Sequence, residues 1–241
     1  AALWAENVAA PVLDIKLWPR AFAVAERLWS AQDVKDSDNM YQRLQSMDGW
    51  STVSVGLQQH GQQLVQFTRL ANGGSTLALQ ILAQAIEPAH YYTRQHLKFQ
   101  ANNYHQFEPL NRLADALPPE SDTVRSLDRW AERLISDAED NESADALRHV
   151  FTRWQNNTAD ALALTESSYQ LAAIGPVVQQ VDKLATLGLR LTDLVACQGT
   201  LDDKEYASVQ AQLDEAAKTQ DELVIAAVYP LEKLLRATKV E

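Results

Sequence analysis

A chain of 241 residues, 46% hydrophobic and 22% charged, is long enough for one large domain or two modest ones and too apolar to be a disordered tail. Its net charge of −11 repels phosphate backbones, and no compact Lys/Arg stripe offsets it, which excludes nucleic acid as a partner. The single Cys197 excludes an intrachain disulfide and any Cys-rich zinc or iron–sulfur site, and no apolar run approaches the roughly 20 residues of a membrane span.

Eight Gly and eight Pro leave room for long helices, and the abundant Ala, Leu, Gln and Asp/Glu favour helices and their starts. The expected class is mainly α. A start at Ala1-Ala2-Leu3-Trp4, without Met, reads as the interior of a longer protein and leaves the compartment open.

Residues 1–8 are apolar without helical period and suit the end of a buried strand running into a loop; Pro11 then marks an irregular connection. A helix is expected from about residue 16 to 30, with Pro19 in its first turn and Phe22, Ala25 and Trp29 on one face. Glu26 on that helix calls for a basic partner. Residues 33–39 read as a polar hinge, with Ser37 or Asp38 capping a helix over 39–47 that Asp48-Gly49-Trp50-Ser51 ends. Val53-Ser54-Val55 reads as extended.

A further helix is expected over 60–71, closed by Asn72-Gly73-Gly74, with Ser75 capping the next one through residue 86. That Gly-Gly lacks the Lys and the spaced glycines of a phosphate loop. Residues 87–107 read as a loop rich in polar aromatics. His90, His96 and His105 lie there, but their spacing to one another and to Glu87 or Glu108 matches no metal-ligand motif, so no metal is expected.

Pro109 opens a short helix to about residue 117, which Pro118-Pro119 stops. Ser121 or Asp122 caps a long helix to about 137, with Leu127, Ala131 and Leu134 on one stripe and Trp130 beside it. After a turn at 140–143, Leu147, Val150, Phe151 and Trp154 recur at core spacing. Pro176 opens the clearest helix, where Val177, Val181, Leu184, Leu187, Leu191 and Leu194 recur at three and four residues; Gly199 follows its end, and Cys197 reads as a packed thiol. Asp202 or Asp203 caps a helix over 204–218, and a last helix towards 239 is kinked or interrupted by Pro230. Short turns between these helices predict an antiparallel bundle.

No nucleophile elbow, Walker loop, His-Glu-x-x-His or dinucleotide fingerprint occurs after residue 50. The opening differs. In an extended segment Trp4 and Glu6 face the same way, and a ring beside a carboxylate suits a sugar: the ring covers the C–H face and the carboxylate accepts hydroxyl hydrogens. On the residues alone, a buried Trp with a structural Glu is the better explanation of the pair, since Trp-x-Glu is common.

Three blocks decide between these readings: Ala2-Leu3-Trp4-Ala5-Glu6-Asn7-Val8, Leu17-Trp18-Pro19-Arg20-Ala21, and Ala23-Val24-Ala25-Glu26-Arg27-Leu28-Trp29-Ser30. In order and spacing they resemble the end of the catalytic domain of the β-N-acetylhexosaminidases of glycoside hydrolase family 20. Glu87-Pro88-Ala89-His90-Tyr91-Tyr92 and residues 110–120 resemble the helical C-terminal extension of bacterial members.

The resemblance implies that residues 1–50 are the C-terminal remnant of a (β/α)8 barrel, ending in its last strand, loop and helix, and that 51–241 form a helical accessory domain. It implies that Trp4 lines the sugar pocket, that Glu6 binds hydroxyls of the terminal sugar, and that Arg20 and Glu26 are structural. It implies a retaining hydrolysis of terminal N-acetylhexosamine in which the substrate's acetamido group is the nucleophile, with no cofactor. The Asp-Glu pair of that chemistry is absent from this sequence, so the chain alone is expected to be inactive. The expected partners are an N-acetylhexosamine glycan in the full-length protein, the protein's own barrel, and a second copy of the chain. A different class of reading is a helical interaction, dimerisation or glycan-binding module, with a groove around Tyr91, Tyr92 and Tyr104.

Overall fold

The computed structural model describes residues 7–18 and 20–239, and the fold is mainly α. The expected strand end falls mostly on residues 1–6, outside the described residues. Asn7 to Ala9 are irregular, a 3₁₀ turn spans Ala10–Val12, and helix α1 follows at Leu13–Leu17. Trp18 is extended at φ −99° and ψ 141°, as the residue before a proline tends to be. The single helix expected over 16–30 is therefore two, and α2 runs from Arg20–Trp29.

Helix α3 (Ser37–Trp50) is capped by Asp36, one residue before either expected cap, whose carboxylate accepts from the Asn39 amide at 3.0 Å. Neither the expected break at Asp48-Gly49-Trp50 nor the extended stretch at Val53 forms. Instead the ladder widens into a π turn at Ser51–Val55 and stops at Gly56, whose φ of 80° costs glycine little. Helices α4 (Gln59–Leu70) and α5 (Thr76–Leu82) follow; the Ser75 hydroxyl caps α5 as expected, but α5 ends four residues early.

Of residues 87–107 only the last seven, 101–107, form the expected loop. A two-residue strand β1 (Glu87–Pro88) leads into helix α6 (Tyr91–Gln100), with the His90 side chain accepting from the Tyr92 amide at its start. The helix expected from Pro109 shrinks to a single turn, α7 (Leu113–Ala116).

The long helices form as their stripes predict. Helix α8 (Asp122–Ser136) is capped by Ser121 and α9 (Asn141–Ser167) by Asp140. A 3₁₀ turn at Tyr169–Ile174 returns the chain into α10 (Gly175–Ala196), so α9 and α10 lie antiparallel. Leu127, Ala131, Leu134, Leu147, Phe151, Trp154, Val181, Leu184 and Leu191 meet in one core, with Trp130 partly buried against it. Phe151 and Trp154 pack edge to face at 5.7 Å, and Gly188 lies so close to the Phe151 ring that a Cβ there would come within 2.6 Å of Cζ.

Helix α11 (Asp203–Ala216) is capped by Asp202. Strand β2 (Leu223–Val224) pairs antiparallel with β1, Glu87 opposite Val224. The final helix α12 (Val228–Ala237) holds Pro230 in its first turn, where no intrahelical N–H is needed, so the expected kink does not form. Cys197 is also corrected: it is exposed at the C-cap of α10, where the helix leaves the core, and its thiol donates to the Leu194 carbonyl. No described helix is long and apolar enough to cross a membrane.

Candidate functional site

Trp4 and Glu6, the sugar-binding pair implied by the sequence, lie outside the described residues. What the structure does show is how the residues that follow them are held. Asn7 is buried, and four hydrogen bonds fasten the segment through α1 to the helical body. The Asp14 amide donates to Gln62 Oε1 at 3.0 Å, and the Gln58 amide at the start of α4 donates to Asp14 Oδ2 at 2.9 Å. Lys16, 7% exposed, donates from Nζ to the Ala114 carbonyl at 3.0 Å and the Leu117 carbonyl at 2.5 Å. The first lies within α7 and the second at its C-cap, where a one-turn helix leaves acceptors without intrahelical partners. Burial, followed by the nearby Arg94 charge, lowers the Lys16 pKa to about 7.

Helix α7 is fixed from the other side by a buried ionic cluster. The Asp115 carboxylate accepts from the Arg112 amide at 2.9 Å and from Arg94 Nη2 at 2.5 Å. Arg94 Nε donates to Glu222 Oε2 at 2.7 Å. All three ionic side chains of this line, Arg94, Asp115 and Glu222, are at most 4% exposed. Burial works against the Arg94 charge, but Asp115 and Glu222 outweigh it and raise its pKa, so the guanidinium stays charged. Glu222 reaches this position from a tight turn in which Asp221 and Glu222 both have positive φ, 46° and 66°. Non-glycine residues hold that conformation at a cost that the surrounding contacts offset.

Lys98, one turn along α6 from Arg94, lies 3.5 Å from Glu108 and from Glu222 Oε1, and Arg112 Nη1 approaches the same Glu222 oxygen at 3.3 Å. Lys98 and Glu108 also line a cavity of about 360 Å³ with Asn7, Tyr104 and His105. Asn7 Nδ2 and Lys98 Nζ are both buried there with no hydrogen-bond acceptor. The cavity thus joins the first described residue to the ionic cluster.

The other expected residues fall into local roles. Glu26 finds its basic partner in Arg43 and accepts from the Ser30 hydroxyl; these hydrogen bonds lower its pKa, Arg43 contributing most. Arg20 pairs with Glu120, and Arg27 donates to the carbonyls of Ser30, Ala31 and Val34 beyond the end of α2. Tyr91 and Tyr92 open α6 and touch edge to face, whereas Tyr104 follows its far end, so a helix about 15 Å long separates them and they form no common groove. His90 and His105 accept from backbone amides, and His96 contacts Gln100. Among the described residues no three His, Cys, Asp or Glu side chains converge on a metal position.

The ionic cluster and the Lys16 anchor carry little signal in the sequence. Arg94 and Glu222 are 128 residues apart, Lys16 and Leu117 are 101 apart, and neither pairing has a motif. A weak sign was present in α6: Arg94 and Lys98 are spaced by four and share a face, with few apolar residues to explain a helix.

Comparison with known proteins places the opening segment. Residues 1–32 match the family model "Glycosyl hydrolase family 20, catalytic domain". The chain is similar to the human beta-hexosaminidase subunit beta, 59% identical over 44 residues, which is 18% of this chain and 8% of that protein. It is also similar to the Dictyostelium discoideum beta-hexosaminidase subunit A1, 53% identical over 34 residues, 14% of this chain and 6% of that one. Beyond that stretch, the X-ray structure of a Flavobacterium johnsoniae chitobiase superposes with a TM-score of 0.81 over 97% of this chain, at 21% identity, and shares its fold. The chain spans 34% of that structure and less than a tenth of the curated relatives it matches. Residues 1–32 thus carry the signature of a glycosyl hydrolase family 20 catalytic domain, and nearly the whole length shares the fold of that chitobiase.

Proposed function

We propose that the full-length protein removes terminal N-acetylhexosamine residues from glycans such as chitooligosaccharides, with retention and with the substrate's acetamido group as nucleophile. The match of residues 1–32 to the family's catalytic domain carries this reading, because it covers Trp4 and Glu6. In it, the Trp4 ring covers the apolar face of the terminal sugar and Glu6 accepts from its hydroxyls. Residues 1–50 then belong to the catalytic barrel and 51–241 to a helical domain packed on it.

The exposure of α2 supports a missing neighbour of that kind. No described residue of α2 is fully buried, and Leu28 and Trp29 are 82% and 94% exposed. So apolar a surface suits the remaining barrel. The general acid and the group that orients the acetamido function lie, on this reading, in the part of the protein that this chain does not carry, and the chain alone is inactive. Release of nitrophenol from p-nitrophenyl N-acetyl-β-glucosaminide by the full-length protein, and no release by residues 1–241, is the expected outcome. Turnover by residues 1–241 at the full-length rate would overturn the reading.

A further inference from the structure

We propose that the cavity between Asn7 and residues 103–108 binds one neutral pyranose sugar. Two buried side chains carry this. Asn7 is 4% exposed and Lys98 3%, and both line the cavity. Among the described residues, neither Asn7 Nδ2 nor Lys98 Nζ has a hydrogen-bond acceptor. A buried donor left unpaired is costly, so two of them on one cavity call for a ligand that brings acceptors. Trp4 and Glu6 play no part, and the site stands or falls apart from the proposed hydrolysis.

The charges around the cavity disfavour an ion. Lys98 Nζ lies 3.5 Å from Glu108 Oε1 and from Glu222 Oε1, so its charge is balanced although its hydrogens are unused. An anion would meet those carboxylates, and a cation would meet the ammonium. A neutral polyhydroxylated molecule avoids both costs, because its oxygens accept from the ammonium and the amide while its hydroxyls donate to Glu108. The Tyr104 ring, also on the cavity wall, offers a surface for the C–H face of a sugar. His105 Nδ1 accepts from the Phe107 amide at 3.2 Å, so the neutral imidazole carries its proton on Nε2 and adds a further donor. A volume of about 360 Å³ is at the small end of ligand sites and takes one ring rather than a chain. The wall is also set in advance: the Asn103 amide donates to the Lys98 carbonyl at 2.8 Å, and the Glu108 amide to the His105 carbonyl at 3.0 Å.

The test is NMR of the full-length protein with isotope-labelled histidine, titrated with N-acetylglucosamine and with glucose, the His105 signal being identified by its loss in His105→Gln. That signal is expected to shift and saturate with a Kd on the order of 1 mM. Asn7→Ala and Tyr104→Ala should each raise the Kd about 10-fold, and Asn7→Ala should leave the melting temperature unchanged, since its amide nitrogen has no bond to lose. Lys98→Met disturbs the ionic cluster and can fail to fold, so those two variants decide. Crystals of the full-length protein soaked in N-acetylglucosamine should show a ring in the cavity, with oxygens in hydrogen-bond reach of Asn7 Nδ2 and Lys98 Nζ. Methyl N-acetyl-α-glucosaminide divides the sources: equal binding assigns the site to the end unit of a glycan, exclusion assigns it to the free sugar, and both uphold it. The proposal is overturned if neither sugar shifts His105, if the shift survives both variants unchanged, or if the soaked cavity holds only water or another part of the protein.

Discussion

Helices α2 and α10 are alike in sequence and opposite in fate. Each carries an apolar stripe at three- and four-residue spacing. In α10 ten residues on that stripe are buried, against α8, α9 and α12. In α2 none is fully buried; Phe22 meets Trp18 at 4.5 Å, and the far end of the stripe, Leu28 and Trp29, faces solvent. An apolar stripe therefore shows that a helix wants a partner, not that the partner is in the same chain. The helical body completes its own core, while α2 leaves apolar side chains exposed.

This contrast can be broken from either side, and the body also from its buried ionic cluster. The largest effect is expected at the cluster. Glu222→Ala leaves Arg94 and Lys98 buried without their shared carboxylate and should destabilise the chain by about 3–5 kcal/mol in denaturant melts. A loss under about 1 kcal/mol would show that the cluster is solvated in solution. Gly188→Ala comes next: the added methyl meets the buried Phe151 ring, and a loss of about 2 kcal/mol is expected despite the better helix propensity of alanine.

Lys16 predicts a pH dependence. Its folded pKa is about 7 and its ordinary value is 10.5, so between the two the unfolded chain holds a proton that the folded chain does not. Its contribution to stability therefore rises with pH across that window, by up to about 1.4 kcal/mol per unit, and is flat below it. Lys16→Met should remove that slope, read as the difference between the two proteins' urea midpoints at pH 7, 8 and 9. The smallest effect belongs to α2: Leu28→Ser with Trp29→Ser should change the stability of residues 1–241 by less than about 0.5 kcal/mol and improve solubility. A large loss there would mean that the stripe already has a partner, such as a second copy of the chain.

Reading the chain from sequence worked where burial is apolar. Ser75, Ser121 and Asp202 cap the helices they were expected to cap, because each supplies a side-chain oxygen to an amide two or three residues on. It failed where burial is ionic. Hydrophobic periodicity reads α6 as a loop because its two buried residues are Arg94 and Lys98, which it counts as solvent-facing. It also failed where a local breaker is overruled. Gly49 sits inside α3, and Pro230 sits harmlessly in a first turn rather than at a kink.

The sequence by itself determined the long helices of the body, their caps, and the family of the opening residues. Each of these rests on neighbours in the chain: a stripe, a cap three residues from its amide, three blocks at fixed spacing. Only the tertiary structure decided that α2 lies open, that Lys16 ends one-turn helix α7 from a hundred residues away, and that Glu222 holds Arg94 across 128 residues. Those contacts depend on charges buried together, and no local pattern marks a charge that will find its partner only after the chain has folded.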